Sequence, residues 1–349
     1  GDFKFEAPNL PKGVKVLTEI VPKDLGNIPI LYEAAPDAPL GAAAVPLKLT
    51  PVDPNTKVVG RMRQTFDMVR SGNVIYYTEV EDQVPVAVVE EAPYSLEIVK
   101  PAVPLVAGGL MDLKVVAKRK EGFKAPIRVL MIWKPPGISS LGEQTIPEGQ
   151  NECTFVLDAN GAVSANKWNF TVMGEADGGN GRIYNASPFC EVTTAPAYLS
   201  APTMAMAVVE QGKETAFVCK VEHPQAFDGE AVAEVVGVPD TIDIEPGKIN
   251  KETKEVTFKV KTTDKSPVGK QNNLFVVVKV PVQGGITTHR IGTGSSLRID
   301  APRKAPAAPA QVAQNTAKPG AAAAAPKPAE AKPLSRLEQL RQEANAGKK

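Results

Sequence analysis

The most constraining feature of this 349-residue sequence is an internal repeat. Pro11 is followed 28 residues later by the turn sequence Pro39–Gly41, and Pro239 is followed at the same distance by Pro267–Gly269. In both copies a strand-like run precedes the turn and another follows it. A fixed interval of this kind is the signature of a repeated structural unit, so the chain is expected to fold as similar modules in series.

A weaker third copy begins at Pro136 and carries Ser164 and Asn166 at the turn positions. Asn preserves the turn chemistry because it tolerates a left-handed backbone. The segments ahead of two copies also match loosely, since Gly108–Phe123 resembles Gly212–Phe227. One complete module then has about 100 residues and roughly seven strands, the size of an immunoglobulin-like β-sandwich, although the Cys–Trp–Cys pattern of antibody domains is absent.

The apolar pattern predicts an all-β fold. In the run Glu255–Lys261, the residues Val256, Phe258 and Val260 share one face, which predicts a half-buried strand with Phe258 in the core. Leu274–Val280 is almost continuously apolar and predicts a central strand. No helical apolar stripe precedes the tail. Strand ends or edge strands are predicted at the prolines inside strand-like runs, which are Pro29, Pro46 and Pro85.

We therefore expect tandem immunoglobulin-like sandwiches in a first region (residues 1–93), a second region (94–197) and a third region (198–300). Only ten residues precede the repeat proline of the first region, so its first two or three strands are expected to be missing. Residues 1–349 would then be the C-terminal piece of a longer polypeptide, or another chain would supply the strands by β-augmentation. Extra length from Val59 to Gln83 predicts an added hairpin around Ser71.

The C-terminal tail differs in composition from the body. Residues 301–333 hold 14 Ala and 7 Pro, which predicts a disordered linker, and Ser335 with Glu338 forms a helix-capping pattern at the start of a short amphipathic helix over 334–349. Residues 301–349 carry nine Lys/Arg and three Glu, whereas the rest carries 31 basic and 36 acidic residues. A solvated spacer or an anchor to an anionic surface is expected. The overall charge of +1 argues against nucleic-acid binding.

No catalytic, cofactor or metal site is predicted, and the chain is not expected to be an enzyme. His223 and His289 lack a second ligand at metal spacing and are interpreted as surface or edge residues. The sequence contains no nucleophile elbow, phosphate loop or zinc-protease motif. Asp177–Arg182 is rich in oxygen atoms and suits weak calcium binding, but it lacks the regular ladder of calcium loops, and a hairpin tip is the simpler interpretation.

The three cysteines, Cys153, Cys190 and Cys219, show neither metal nor redox spacing. A disulfide between Cys153 and Cys190 is possible within one sandwich, but buried free thiols are the preferred interpretation. Formal glycosylation sequons stand at Asn169 and Asn185.

Trp133 and Trp168 are the candidates for ligand contact. Exposed aromatic side chains on β-sandwiches commonly stack on sugar rings. Both tryptophans lie in strand-like runs, so a core or half-core position is the simpler interpretation.

Four runs resemble a known type of protein: Val86–Leu96, Glu121–Ile127, Ile146–Glu152 and Lys254–Pro267. Together with the closing Pro333–Arg341, they are similar to the C-terminal immunoglobulin-like region of large secreted bacterial proteins that contain a pre-peptidase C-terminal (PPC) domain. The resemblance covers nearly the whole chain through turns and strand patterns. It implies export, a tandem sandwich array and a non-catalytic role, and it implies no site residues.

Two functional classes follow. The first is a structural or adhesive array at the cell surface, outside the cytoplasm, with a protein or polysaccharide of the envelope and the upstream domains of the same polypeptide as partners. The second is an accessory polysaccharide-binding module of an upstream hydrolase. No nucleic-acid partner is expected, and no membrane span is expected because no apolar run is long enough.

Overall fold

The computed structural model describes residues 1–302, and every regular element in these residues is a β-strand. The all-β class predicted from the sequence is therefore confirmed. The predicted linker, from residue 303 onward, and the predicted helix at 334–349 lie outside the described residues.

The first region contains β1 (Phe3–Glu6), β2 (Val14–Val16), β3 (Ile20–Val21), β4 (Tyr32–Ala34), β5 (Gly41–Pro46), β6 (Lys48–Pro51), β7 (Gly60–Arg61), β8 (Gln64–Ser71), β9 (Val74–Glu81) and β10 (Gln83–Val88). The second contains β11 (Tyr94–Ile98), β12 (Leu105–Val106), β13 (Gly109–Arg119), β14 (Ile127–Leu130), β15 (Ile138–Ser139), β16 (Glu143–Ile146), β17 (Glu152–Ala159), β18 (Asn166–Phe170), β19 (Met173–Asp177), β20 (Arg182–Ala186) and β21 (Cys190–Ala195). The third contains β22 (Ala207–Glu210), β23 (Glu214–Lys220), β24 (Ala231–Val236), β25 (Ile242–Ile244), β26 (Gly247–Ile249), β27 (Glu255–Thr262), β28 (Gly269–Val282) and β29 (Gly285–Asp300).

In the second region, separate sheets enclose one hydrophobic core. One sheet includes β11, β13, β17 and β15, another has the order β16–β14–β19–β20, and a third has the order β12–β21–β18, in which β12 and β21 are parallel. Ile127, Phe155 and Phe170 come from these three sheets and are fully buried in the same cluster. Side chains from facing sheets therefore form the interior, as in a β-sandwich.

The third region confirms the strand pattern read from the sequence. Val256, Phe258 and Val260 are buried along β27, and the side chains between them are exposed. β28 lies between β24 and β29, as predicted for a central strand. β22 lies parallel to the end of β29, pairing over Ala207–Glu210.

The second and third regions share one sheet. β13 pairs with β29 in the register Gly109↔His289 and Leu110↔Thr288, and the resulting sheet has nine strands. Backbone hydrogen bonds therefore cross the boundary between the two regions.

Side chains around this boundary fit it closely. The Arg290 amide donates to Gly108 O at 2.8 Å, and the Arg290 guanidinium pairs with Asp158 at 2.7 Å. Gly109 leaves no room for a side chain, because a Cβ there would lie 2.6 Å from Val106 Cγ2 and 2.8 Å from the carbonyl oxygen of Thr288.

His289 is fully buried at this boundary, so the prediction of a surface or edge histidine was wrong. Neither ring nitrogen has a hydrogen-bond partner among the described residues, and the ring meets Tyr198 edge-on with centroids 6.1 Å apart. Burial lowers the pKa of His289 to about 4, because the charged form would lose its hydration. The polar neighbours Thr288 and Arg290 suggest that this part of β29 is exposed. In the structure, however, β13 pairs with β29 at His289.

The first region has a smaller core, formed by Phe5, Val45, Leu47 and Val86. Pro85 lies in β10, which pairs with β5 alone among the described strands, and Pro46 ends β5, as predicted for edge strands and strand ends. Pro29 lies in a loop instead.

The hairpin predicted around Ser71 is formed by β8 and β9. Within the described residues these strands pair only with each other, and all sixteen of their residues are exposed, including Phe66, Tyr76 and Tyr77.

Candidate functional site

Trp133 and Trp168 come together in the structure. Their ring centroids lie 6.3 Å apart with planes inclined at 58°, and the ring of Phe170 lies 6.4 Å from that of Trp133. Phe170 is fully buried, whereas both tryptophans are half-buried, as expected. Trp168 lies in a strand, but Trp133 lies just beyond the end of β14 and in no strand. The pair therefore forms a border between the core of the second region and the surface.

Strand pairing fixes the orientation of Trp168. Trp168 lies in β18 opposite Val192 of β21, and its Nε1–H donates to Thr194 Oγ1 at 3.2 Å. The Thr194 hydroxyl is buried and donates to Ser164 O at 2.7 Å. This chain of hydrogen bonds holds the indole in place without a ligand.

The opposite wall belongs to the first region, in the segment Leu17–Pro29. Trp133 Nε1–H donates to Asn27 O at 2.9 Å, which ties the indole to this segment. Thr18 is buried and stabilises the wall, because its hydroxyl donates to Pro29 O at 2.9 Å. Sequence reasoning missed this wall, since no periodicity links Asn27 with Trp133.

The cleft between the walls has a volume of about 410 Å³, within the usual range for small-molecule sites. Its apolar lining includes Leu17, Ile20 and Phe189 beside the tryptophans, and its polar lining includes Glu19, Asn166, Lys167 and Asn169. Flat aromatic surface next to carboxylate, amide and ammonium groups suits a ligand with one apolar face and a hydroxylated edge, as a sugar ring has.

The cysteines contribute no nucleophile. All three are free; Cys190 and Cys219 are buried and Cys153 is half-buried. Burial raises the pKa of Cys153 and Cys219 to about 11 and also raises the pKa of Cys190. The thiols are therefore protonated at neutral pH and behave as small apolar side chains.

The other candidates lie apart from the cleft. Asp177–Arg182 spans the tip of the β19–β20 hairpin, as the simpler interpretation expected. His223 is half-buried, and its Nε2 lies 2.6 Å from Thr253 O. Asn185 donates its side-chain amide to the carbonyl of Tyr94 at 2.7 Å. Residues 1–302 contain no group of three or more His, Cys, Asp or Glu side chains suited to a metal ion.

A nearly buried carboxylate, Glu175, is held by two arginines. It lies 3.1 Å from Arg128 and also pairs with Arg182. The hydrogen bonds that Arg128 donates to Glu143 and, to a lesser extent, to Glu175 raise the pKa of Arg128. These pairs join β14, β16, β19 and β20, so this charge cluster cross-links a sheet.

No helix long and apolar enough to cross a membrane occurs in residues 1–302.

The sequence matches no protein-family model and no curated protein. Among solved structures, a protein of unknown function from Porphyromonas gingivalis W83 is 8% identical, with 59% of this chain and 100% of that chain covered and a TM-score of 0.23. Fibronectin(III)-like modules of Clostridium thermocellum CbhA are 11% identical over 59% and 94%, with a TM-score of 0.20. Dpr2 Ig1–Ig2, solved in complex with DIP-Theta Ig1–Ig3, is 9% identical over 60% and 100%, with a TM-score of 0.25. Two of these three neighbours are named as fibronectin- or immunoglobulin-type domains, and at these TM-scores none of the three carries an argument.

Proposed function

We propose that this chain is a non-catalytic array of immunoglobulin-like modules at residues 1–93, 94–197 and 198–300, from a larger exported bacterial protein of the PPC-containing type. Three separate hydrophobic clusters, one in each region, support a modular organisation. The shared sheet across the second and third regions supports a fixed spacing between these two modules. Such an array would hold binding surfaces away from the cell envelope.

We further propose that the array binds a polysaccharide in the cleft at Trp133 and Trp168. The observation that carries this proposal is that two tryptophans 35 positions apart meet, half-exposed, in a 410 Å³ cleft with polar groups in its lining. The same site would serve an adhesin of the cell surface or an accessory module of an upstream hydrolase. The sequon at Asn169 lies in the lining, so a glycan attached there would block the site.

Binding to a panel of insoluble polysaccharides tests this role. Trp168→Ala is expected to reduce retention about tenfold, because an aromatic stacking contact is worth about 1.5 kcal/mol, and Trp168→Phe is expected to keep most of it. Tyr184→Ala is the matched control, because Tyr184 is an exposed aromatic residue of the second region outside the cleft. Equal retention of all variants, with unchanged circular dichroism, would exclude the cleft as the ligand site.

The basic tail is proposed to contact the anionic envelope. Residues 301–349 carry nine basic and three acidic side chains, and such an excess favours an anionic surface at low salt. Deleting 301–349 should therefore abolish binding to envelope fractions of the host while leaving polysaccharide retention unchanged. Undiminished envelope binding would leave the tail as a spacer.

A further inference from the structure

The β8–β9 hairpin is an addition to the repeated module. In the third region, Ile291 and Ile299 of β29 are eight positions apart, whereas their counterparts in the first region, Arg61 and Val88, are 27 positions apart. The strand pairs that define these counterparts, at the repeat interval of 228 residues, are Lys48↔Arg61 with Val276↔Ile291 and Gly41↔Val88 with Gly269↔Ile299. The hairpin fills the additional length, and the third region forms its core without an equivalent of it.

The side chains of this hairpin are not those of a purely solvated element. Within the described residues, its side-chain bonds are internal: the Tyr77 hydroxyl donates to Glu79 at 2.8 Å, and Arg70 lies 3.8 Å from Asp67. A two-stranded hairpin is at best marginally stable alone in water, and clustered exposed apolar side chains mark interaction sites. The exposed large apolar side chains here are Phe66, Met68, Val69, Val74, Ile75, Tyr76, Tyr77 and Val80.

Charge is distributed unevenly along the length of the hairpin. The tip half, residues 68–77, carries Arg70 as its one charged side chain, and Arg70 already pairs with Asp67. The base of the hairpin carries both signs of charge. Its charged residues are Arg61, Arg63, Asp67, Glu79, Glu81 and Asp82. The hairpin is therefore apolar at its tip and charged at its base.

Both faces of the tip half are apolar. Val74 and Ile75 are consecutive residues of β9, so they point to opposite faces, and both are exposed. An antiparallel sheet that packs on a folded protein commonly has one apolar face and one solvated face. The tip half therefore suits a medium that surrounds it better than a protein surface that covers one side.

The edges of the hairpin are poorly suited to pairing with another strand. The register of β8 and β9 skips Met68 on one strand and Tyr76 on the other. Such bulges twist a strand and are one of the means by which sheet edges avoid further pairing. Met68 and Tyr76 are also the most exposed apolar side chains of the hairpin, at 61% and 68%. These irregularities hinder strand addition by a second copy, but they leave both side chains free to enter an apolar medium.

We propose that the tip half of the β8–β9 hairpin inserts into the headgroup region of a lipid bilayer. Tyr76 and Tyr77 suit this depth, because tyrosine is enriched where an apolar ring and a polar hydroxyl meet the membrane–water interface. At about 3.4 Å per residue, the four residues from Met68 to the turn reach about 14 Å, enough for an interfacial depth of about 5–10 Å. Deeper entry is excluded, because open sheet edges do not occur in the hydrocarbon core.

This contact differs in its physical basis from the one proposed for the basic tail. The tip half offers a single cation that is already paired, so its binding should depend on apolar side chains rather than on charge. It should therefore occur on neutral lipid and persist at high salt, where attraction of the tail to an anionic surface is screened. Failure of the tail or of the tryptophan cleft to bind would leave this proposal unaffected.

Co-sedimentation of the full chain with phosphatidylcholine vesicles at high salt tests the proposal. The chain is expected to bind, and Met68→Ser combined with Tyr76→Ser should reduce binding at least about tenfold, because two apolar side chains no longer enter the lipid. The matched control is Leu40→Ser combined with Leu141→Ser, since these leucines are similarly exposed, at 68% and 64%, and lie outside the hairpin. All four positions are exposed, so circular dichroism should be unchanged in both variants.

The depth of insertion distinguishes the tip of the hairpin from its base. In vesicles with brominated acyl chains, the fluorescence added by Tyr76→Trp should be quenched, whereas that added by Phe66→Trp should not. The unaltered chain, with Trp133 and Trp168, provides the background for both measurements.

Three results would overturn the proposal. Absence of binding to neutral vesicles, or binding that the combined Met68→Ser and Tyr76→Ser variant retains in full, would show that the hairpin does not insert. Equal quenching for Tyr76→Trp and Phe66→Trp would contradict insertion by the tip. A dimer in lipid-free solution that the combined serine variant converts to a monomer in sedimentation would assign the apolar tip to a second copy of the chain.

Discussion

The second and third regions meet through backbone hydrogen bonds, whereas the first and second regions meet through side chains. β13 and β29 form one continuous sheet at the former boundary, with His289 enclosed inside it. At the latter, no strand pair joins the described residues, the Trp133 indole bonds to Asn27, and two clefts remain open. Clefts therefore remain where backbone pairing does not close the boundary.

Low pH should have the largest effect, and it should weaken the boundary between the second and third regions. His289 has a pKa of about 4 when folded and about 6.5 when unfolded, so the unfolded state binds more protons between these pH values. The stability that neutral His289 gives is complete above pH 6.5 and is lost as the pH falls towards 4, by roughly 3 kcal/mol. Urea unfolding of the unaltered protein and of His289→Leu, from pH 7.5 to pH 4, measures this loss of stability. The variant should not show the part of the loss that comes from His289. Parallel curves for the two proteins would contradict it.

Gly109→Ala should strain the same boundary directly. The new Cβ would approach the carbonyl oxygen of Thr288 to 2.8 Å, so the paired strands must separate, at a cost of about 1–3 kcal/mol. The Arg290 amide, which bonds to Gly108 O, should then exchange faster. Gly142→Ala is the control, since a Cβ there meets nothing within 4 Å. An unchanged exchange rate at the Arg290 amide would show that the paired strands accommodate the added methyl group without separating.

Asp158→Asn tests the ion pair beside this boundary. The partly buried Arg290 guanidinium would lose its charged partner, which should lower the free energy of unfolding by about 1 kcal/mol. Added salt should make this loss smaller, because it screens the ion pair. Glu97→Gln, which breaks the more exposed pair with Lys118, should cost less. Thermal unfolding at low and high salt compares the two variants, and equal losses would argue against a special role for Asp158.

Trp133→Phe should affect only the boundary between the first and second regions, and its effect should be small. It removes the hydrogen bond to Asn27 O while keeping an aromatic ring, at a cost of about 1 kcal/mol or less. Amide exchange should rise in the segment Leu17–Pro29 and stay unchanged in β13 and β29. A rise in both places would mean that the two boundaries are coupled.

Local features of this fold were predictable from the sequence, and long-range ones were not. The alternation at Val256, Phe258 and Val260 fixed one strand because burial on one face requires a period of two. The pairing of Gly109 with His289 joins positions 180 residues apart, and no periodicity records such a contact. For that reason the sequence predicts a surface or edge position for His289. Trp168 was recognised as a candidate by residue type, but the first-region wall of its cleft left no mark in the sequence.

The parallel placement of β22 beside β29 has a mechanical consequence. A load applied at the two ends of the third region would slide these strands along each other, so the bonds over four residue pairs would have to break together. β12 and β21 have the same relation in the second region. Among the described residues, β10 has no parallel neighbour, so the first region should yield at the lowest tension. Stretching single molecules would reveal it as the earliest and weakest rupture, and an equal rupture force in all three regions would contradict this expectation.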